Sequence, residues 1–314
     1  MTQIQKATPT ELSKIGESLA SDTNIKPYQV RISRERPGCF VFLIDQSGSM
    51  GEPWGNDSAR SKADLVALYV NNALNEIINI CQKSEPEPRP YFEVCVIGYG
   101  QNESEADILW TGNLAGKAFI TPAELKRSPT GNSGEIEVIR RTFKGETKVK
   151  IPVPFWFSPV AQSMTPMGDA FELSTELLTP WVKEHPNSFP PIVINITDGY
   201  QTDCDDETII EKAYALKSIK TLYGNTLLFN AHISSQAEKA ALFPESIQAL
   251  PDDARSHLLY EISSTLPKIF KARVASEIKK ADIIEGTDYV AMTYQGSVGD
   301  LTRFLDIGTK TIKP

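Results

Sequence analysis

Apolar residues come in two kinds of run along this chain. Cys39-Phe-Val-Phe-Leu-Ile44 is continuous, carries no helical period and stops abruptly at the polar Asp45-Gln-Ser-Gly-Ser49. A short run of this kind predicts a strand covered on both faces, as in a parallel sheet. Residues 91–99, partly alternating, and 190–197 and 226–234 also read as strands, the second of them running into Thr197-Asp-Gly199. Between these runs the period changes to three and four. Ala63, Val66, Ala67, Val70, Ala73, Leu74, Ile77, Ile78 and Cys81 predict a long amphipathic helix over 58–82, with further helices over 167–182 and 206–223. Strands alternating with helices predict a doubly wound α/β domain, its sheet mostly parallel with helices on both faces. Ligands in such sheets sit at the C-terminal strand ends, where the polar turns fall here.

Residues 100–166 show no helical period. Within them, 136–143 and 147–153 flank Lys144-Gly-Glu146 and predict a β-hairpin, read as an insertion (about 100–160) decorating one edge of the domain. Beyond the last long strand a helix is predicted over 266–283, a short strand over 288–293 and a helical turn over 301–305. The expected organisation is an N-terminal extension (1–36), one domain (37–308) and a tail (309–314).

Composition narrows the class. The 314 residues are 40% hydrophobic and 23% charged, which fits a globular chain and excludes collagen, coiled coil and disorder as whole-chain descriptions. Acidic residues exceed basic ones, 40 to 32, for a net charge of -8, which weighs against a broad nucleic-acid footprint. With no apolar run of about 18 residues and no secretory signal pattern at the N-terminus, the expected location is the cytoplasm, with neither membrane nor nucleic acid as a partner. Cys39, Cys81, Cys95 and Cys204 are widely spaced, without a C-x-x-C pair, and read as reduced thiols.

The chemistry concentrates in three places. Asp45-x-Ser47-x-Ser49 puts a carboxylate and two hydroxyls on the turn that leaves the first strand, Asp198 ends another strand, and Thr165 lies in the loop Ser163-Met-Thr-Pro-Met-Gly168. Taken alone, D-x-S-x-S reads more simply as turn and helix caps. An apolar strand into D-x-S-x-S-M-G, then T-P-M-G-D-A, then a strand into I-T-D-G, in that order, resembles the von Willebrand factor A (vWA) family with its metal-ion-dependent adhesion site. The segments FWFSPV, LLYEISSTLP and DLTRFLDIG are similar to bacterial cytoplasmic vWA proteins of the tellurite-resistance-associated type. The likeness runs from about Pro37 to Gly308. It implies that Asp45, Ser47, Ser49, Thr165 and Asp198 hold a metal, Mg2+ with Mn2+ as the alternative. It also implies a partner protein that presents Asp or Glu to the ion, a kinase or phosphatase of the same system being one candidate. The expected role is non-catalytic, in a bacterial stress or defence system. Gln162-Ser-Met164 stands where many relatives carry small glycines, which implies a stiffer loop.

Two carboxylates and three neutral hydroxyls suit a hard six-coordinate cation. Asp203, Asp205 and Asp206 are expected to help attract it. The rival reading is a magnesium-dependent phosphohydrolase, against which the sequence brings no base or arginine to the metal motifs. Gly48-Ser-Met-Gly51 is not a nucleophile elbow, no phosphate-binding glycine loop is present, and His185, His232 and His257 stand in no catalytic spacing. Cys204 reads as incidental. Lys268, Lys271, Arg273, Lys279 and Lys280 read as a solvated helix face, and Trp54, Trp110 and Trp156 as core or hairpin packing, with an exposed place beside the metal as the alternative for Trp54.

Overall fold

The structure, a computed structural model, describes residues 25–54, 57–102, 105–142, 145–235, 240–277 and 288–314. Most of the expected N-terminal extension, with Lys279 and Lys280, lies outside the described residues. The chain enters with β1 (Gly38–Asp45), a ribbon of β2 (Pro53–Trp54) and β3 (Asp57–Ser61), and helix α1 (Lys62–Gln82). Strands β4 (Phe92–Asn102) and β5 (Glu105–Ile108), helix α2 (Pro122–Arg127), and strands β6 (Ser133–Thr142) and β7 (Gly145–Pro154) follow. Next come α3 (Met167–Glu184), β8 (Ile192–Thr197), α4 (Asp206–Ser218), a ribbon of β9 (Lys220–Thr221) and β10 (Gly224–Asn225), β11 (Leu227–Ile233) and β12 (Ala241–Leu242). Helices α5 (Ala254–Ile262) and α6 (Lys268–Glu277), strand β13 (Met292–Gly296) and helix α7 (Val298–Lys310) complete it.

The central sheet has the order β12-β13-β11-β8-β1-β4-β5. Its inner pairings are all parallel, and only the edge strands β5 and β12 run antiparallel to their neighbours. This is the predicted doubly wound α/β arrangement. Strand alternation divides the core: Phe40, Phe42 and Ile44 face a layer with α1, α6 and α7, while Cys39, Val41 and Leu43 face α3, α4 and α5. Both faces of β1 are therefore dry, which is why its sequence is an unbroken apolar run. Strand order reverses at β1, which has β4 on one side and β8 on the other. The crevice at such a reversal opens beyond the C-terminal ends of β1 and β8, at Asp45 and Asp198.

Several boundaries differ from the sequence pattern. Helix α1 starts at Lys62 rather than 58, because Ser61 and Asp64 form a capping box there. The region without a helical period holds α2, whose Thr121-Pro-Ala-Glu124 is also a capping box; six residues are too few to show a period. Helix α4 ends at Ser218, and the chain turns back through β9 and β10. The single turn expected at 301–305 is a full helix, α7, started by the Ser297–Asp300 capping box. Strand β13 falls four residues beyond the predicted start at 288.

The hairpin β6–β7 forms as predicted, but away from the sheet edges, which are β5 and β12. It lies against α1. Leu65, Val66, Ala67 and Leu68 are consecutive and buried, more of the helix circumference than the sheet alone can cover. A Cβ on Gly134 would come within 2.7 Å of Leu68 Cδ1. Buried Asn71 secures the segment that leaves β7: its Oδ1 accepts from Trp156 N at 2.7 Å, and its Nδ2 donates to Phe157 O at 3.2 Å. Among the described residues no helix is long and apolar enough to cross a membrane.

Candidate metal centre

Asp45 and Thr197 end adjacent parallel strands, and the register that pairs Ile44 with Ile196 sets them side by side. Asp45 is wholly buried. Its Oδ1 accepts from Ser47 N at 2.8 Å and its Oδ2 from Thr197 Oγ1 at 2.7 Å, so the carboxylate is fixed before it meets any ligand. Burial pushes its carboxyl up to about 6, against the opposing hydrogen bonds from Ser47 and Thr197 and with a further upward push from the Asp198 charge. Beyond the turn, Ser47 Oγ and Ser49 Oγ lie 3.1 Å apart, and Ser49 Oγ donates to Asp198 Oδ1 at 2.7 Å.

Thr165 arrives from the loop before α3. Ser163 bridges Ser47 in parallel, Gly48 N donates to Ser163 O at 3.0 Å, and Gln162 N donates to Gln46 O at 2.8 Å. Gly100, at φ +102°, lets the two loops meet: a Cβ there would stand 2.3 Å from Met164 O and 2.9 Å from Ser47 N. Thr165 itself is buried, its N–H donating to Thr202 Oγ1 at 2.8 Å and its carbonyl accepting from Thr202 N at 3.0 Å. Its Oγ1 lies 3.5 Å from where a Cβ on Gly199 would be, beside Asp198. The fold thus brings all five expected residues to one place.

Four neighbours were missed by sequence reasoning. Thr197 holds Asp45. Lys62 reaches in from the first residue of α1, its Nζ donating to Asp198 Oδ2 at 2.8 Å and to Glu52 Oε2 at 2.7 Å. Burial pulls this amine down, but the two carboxylates outweigh it and hold it above the usual lysine range. Arg255, in the first turn of α5, donates from Nη1 to Asp198 O at 3.3 Å, contacts His232 Nε2 at 3.2 Å and lies over the Tyr200 ring. The expectation that no arginine accompanies the motifs is therefore corrected; 57 residues separate it from Asp198 in sequence. His232 is buried, which with the nearby Arg255 charge pushes it down to about 3 and keeps it neutral, and its Nδ1 accepts from Gln295 N at 3.1 Å. A lysine at the first position of a helix, against the macrodipole, was the available signal for Lys62.

Three other readings concern the surroundings of the centre. Trp54 is buried in packing, not exposed beside the metal as its alternative had it, and its indole N–H donates to Ser234 O at 3.0 Å. Asp203 caps α3 through Gly168 N and Asp169 N, Asp205 caps α4 through Thr208 N, and Asp206 accepts from Gln201. Asp203 and Asp205 thus also start helices. Cys204, half-buried and pushed up to about 11 mainly by burial, stays a thiol. All four cysteines are free.

No protein-family model matches the chain, and no curated protein does. Among solved structures it is similar to a von Willebrand factor type A from Catenulispora acidiphila, at 13% identity and a TM-score of 0.36, over 63% of this chain and 34% of that one. It is also similar to the pilus adhesin RrgA from Streptococcus pneumoniae, at 12% identity and a TM-score of 0.28, over 89% of this chain and 38% of that one. The chain thus spans little more than a third of either structure's length. Among the described residues no three His, Cys, Asp or Glu side chains are grouped to hold a metal. The candidate donors are instead two carboxylates and three hydroxyls. An all-oxygen set of this kind, already clustered by Ser47–Ser49 and Ser49–Asp198 contacts, fits a hard divalent cation.

Proposed function

We propose that this chain is a non-catalytic, metal-dependent protein-binding domain that uses the Asp45, Ser47, Ser49, Thr165 and Asp198 cluster to hold Mg2+, or Mn2+. The observation that carries the reading is the Ser47–Ser49–Asp198 contact chain beyond the ends of β1 and β8, with Asp45 bound to Ser47 N and Thr165 Oγ1 beside Gly199. Two carboxylates neutralise a divalent ion while the hydroxyls add no charge. Positions left to water can then be taken by an Asp or Glu of a partner, a charge-assisted contact that also orients it. The buried, hydrogen-bonded Asp45 supports a rigid site that changes little on binding. We place the protein in a bacterial stress or defence system, in the cytoplasm, with a kinase or phosphatase as one candidate partner, on the strength of the tellurite-type segments alone.

Calorimetric titration with Mg2+, Mn2+ and Ca2+ tests the metal, and Mg2+ or Mn2+ should bind in preference to Ca2+. Capture of a partner by the wild type, lost in EDTA and in Asp45→Ala, tests the function. The rival phosphohydrolase gains one specific observation, the Arg255 guanidinium against Asp198 O. Steady turnover of a phosphomonoester that requires Mg2+ and vanishes in Asp45→Ala would establish it instead.

A further inference from the structure

Lys62 opens α1 with its ammonium turned back into the cluster. Nζ donates to Asp198 Oδ2 at 2.8 Å, to Glu52 Oε2 at 2.7 Å and to Ser49 O at 3.4 Å. The Lys62 side chain is 6% exposed and that of Asp198 1%, whereas Glu52 is 64% exposed. A helix N-terminus disfavours a cation, so these acceptors must sustain the placement. The two oxygens of Asp198 are divided: Oδ1 takes the Ser49 hydroxyl and Oδ2 the ammonium.

We propose that Lys62 is a resident counter-cation that neutralises Asp198 in the metal-free protein and holds the centre's intrinsic affinity for a divalent ion low. The inference rests on the metal-binding reading above and adds its regulation. An ion drawn to the cluster shares Asp198 with an ammonium already seated on it, and like charges a few ångströms apart in a partly desolvated site repel strongly. Exposed Glu52 offsets only part of this, since water screens it. A partner carboxylate brings the negative charge that Lys62 cancels. Ion and partner therefore bind more tightly together than apart, and by linkage each raises the affinity of the other equally. The centre stays loosely occupied until a partner arrives.

The test is calorimetry with MgCl2 and MnCl2 alone on the full chain. Lys62→Met, similar in length and uncharged, should bind either ion at least about tenfold more tightly than wild type, a gain of about 1.4 kcal/mol. Lys62→Arg, which keeps the charge, should stay within about threefold of wild type. Thermal unfolding gives a second readout: without metal Lys62→Met should melt below wild type, and saturating Mg2+ should raise its melting temperature by more than it raises that of wild type. Should Lys62→Met not fold without metal, Glu52→Gln tests the same idea in the opposite sense. It leaves the ammonium to Asp198 alone and should weaken Mg2+ binding about threefold or more. Wild type that binds Mg2+ while Lys62→Met binds it no more tightly, or Glu52→Gln that binds it as well as wild type, overturns the inference and leaves the metal reading intact. Absence of divalent-ion binding in wild type and variants alike overturns both.

Discussion

The C-terminal ends of β1 and β8 and the β6–β7 hairpin both carry polar side chains, yet the two regions hold them in opposite ways. At the strand ends the groups are buried and each constrains the next: Thr197 Oγ1 donates to Asp45, Asp45 accepts from Ser47 N, and Ser49 Oγ donates to Asp198. On the hairpin, Lys148 pairs with Glu137 and Lys150 with Glu135 across exposed strands. Water can replace every one of the hairpin's partners, whereas a buried carboxylate that loses its partner keeps its full desolvation cost. The strand ends should therefore answer sharply to single substitutions and these hairpin ion pairs hardly at all.

The strongest blow to the first region is Gly100→Ala. With φ at +102° and Met164 O only 2.3 Å from the new Cβ, the two loops must part, and denaturant unfolding should show a loss of about 3 kcal/mol or more. Native stability in this variant would mean that the loops do not depend on their close approach. Asp45→Ala comes next: its fold should persist by circular dichroism while Mg2+ affinity falls about 100-fold or more, since one of two carboxylates is lost. Thr165→Ala removes only a neutral hydroxyl and should cost about tenfold or less. Equal losses in the two variants would erase the distinction between charged and neutral donors.

A pH experiment sharpens the contrast. Because burial raises the folded-state pKa of Asp45 to about 6, above its unfolded value of about 3.8, the stabilising contribution is fully present below about pH 3.8 and lost as pH rises through about 6. In EDTA at pH 7.5 the ionised side chain should cost about 3 kcal/mol, so Asp45→Asn should be more stable than wild type by that order, and the gap should close towards pH 4. A gap independent of pH would show that Asp45 does not titrate differently on folding. The smallest effect belongs to the hairpin. Replacing residues 137–150 by a short glycine-containing turn should leave Mg2+ affinity within about twofold and the melting temperature within about 2 °C. A collapse of metal binding would tie the hairpin to the centre through α1.

What the sequence by itself determined is the local grammar: unbroken apolar runs for strands dry on both faces and a period of three and four for α1 and α3, whereas the capping boxes at Ser61, Thr121 and Ser297 set helix starts that the period alone misplaced or missed. It also marked Asp45, Ser47, Ser49, Thr165 and Asp198, because three short motifs in fixed order are legible without knowing where the chain goes. Only the tertiary structure decided what surrounds them. The ammonium of Lys62 and the guanidinium of Arg255 meet Asp198 from 136 and 57 residues away, and no spacing encodes a contact of that kind. The burial of Trp54 and the seating of the hairpin on α1 rather than at the sheet edge were settled the same way. Each depends on which faces remain uncovered once the sheet and its helices have packed, a quantity that exists only after the long-range contacts are made.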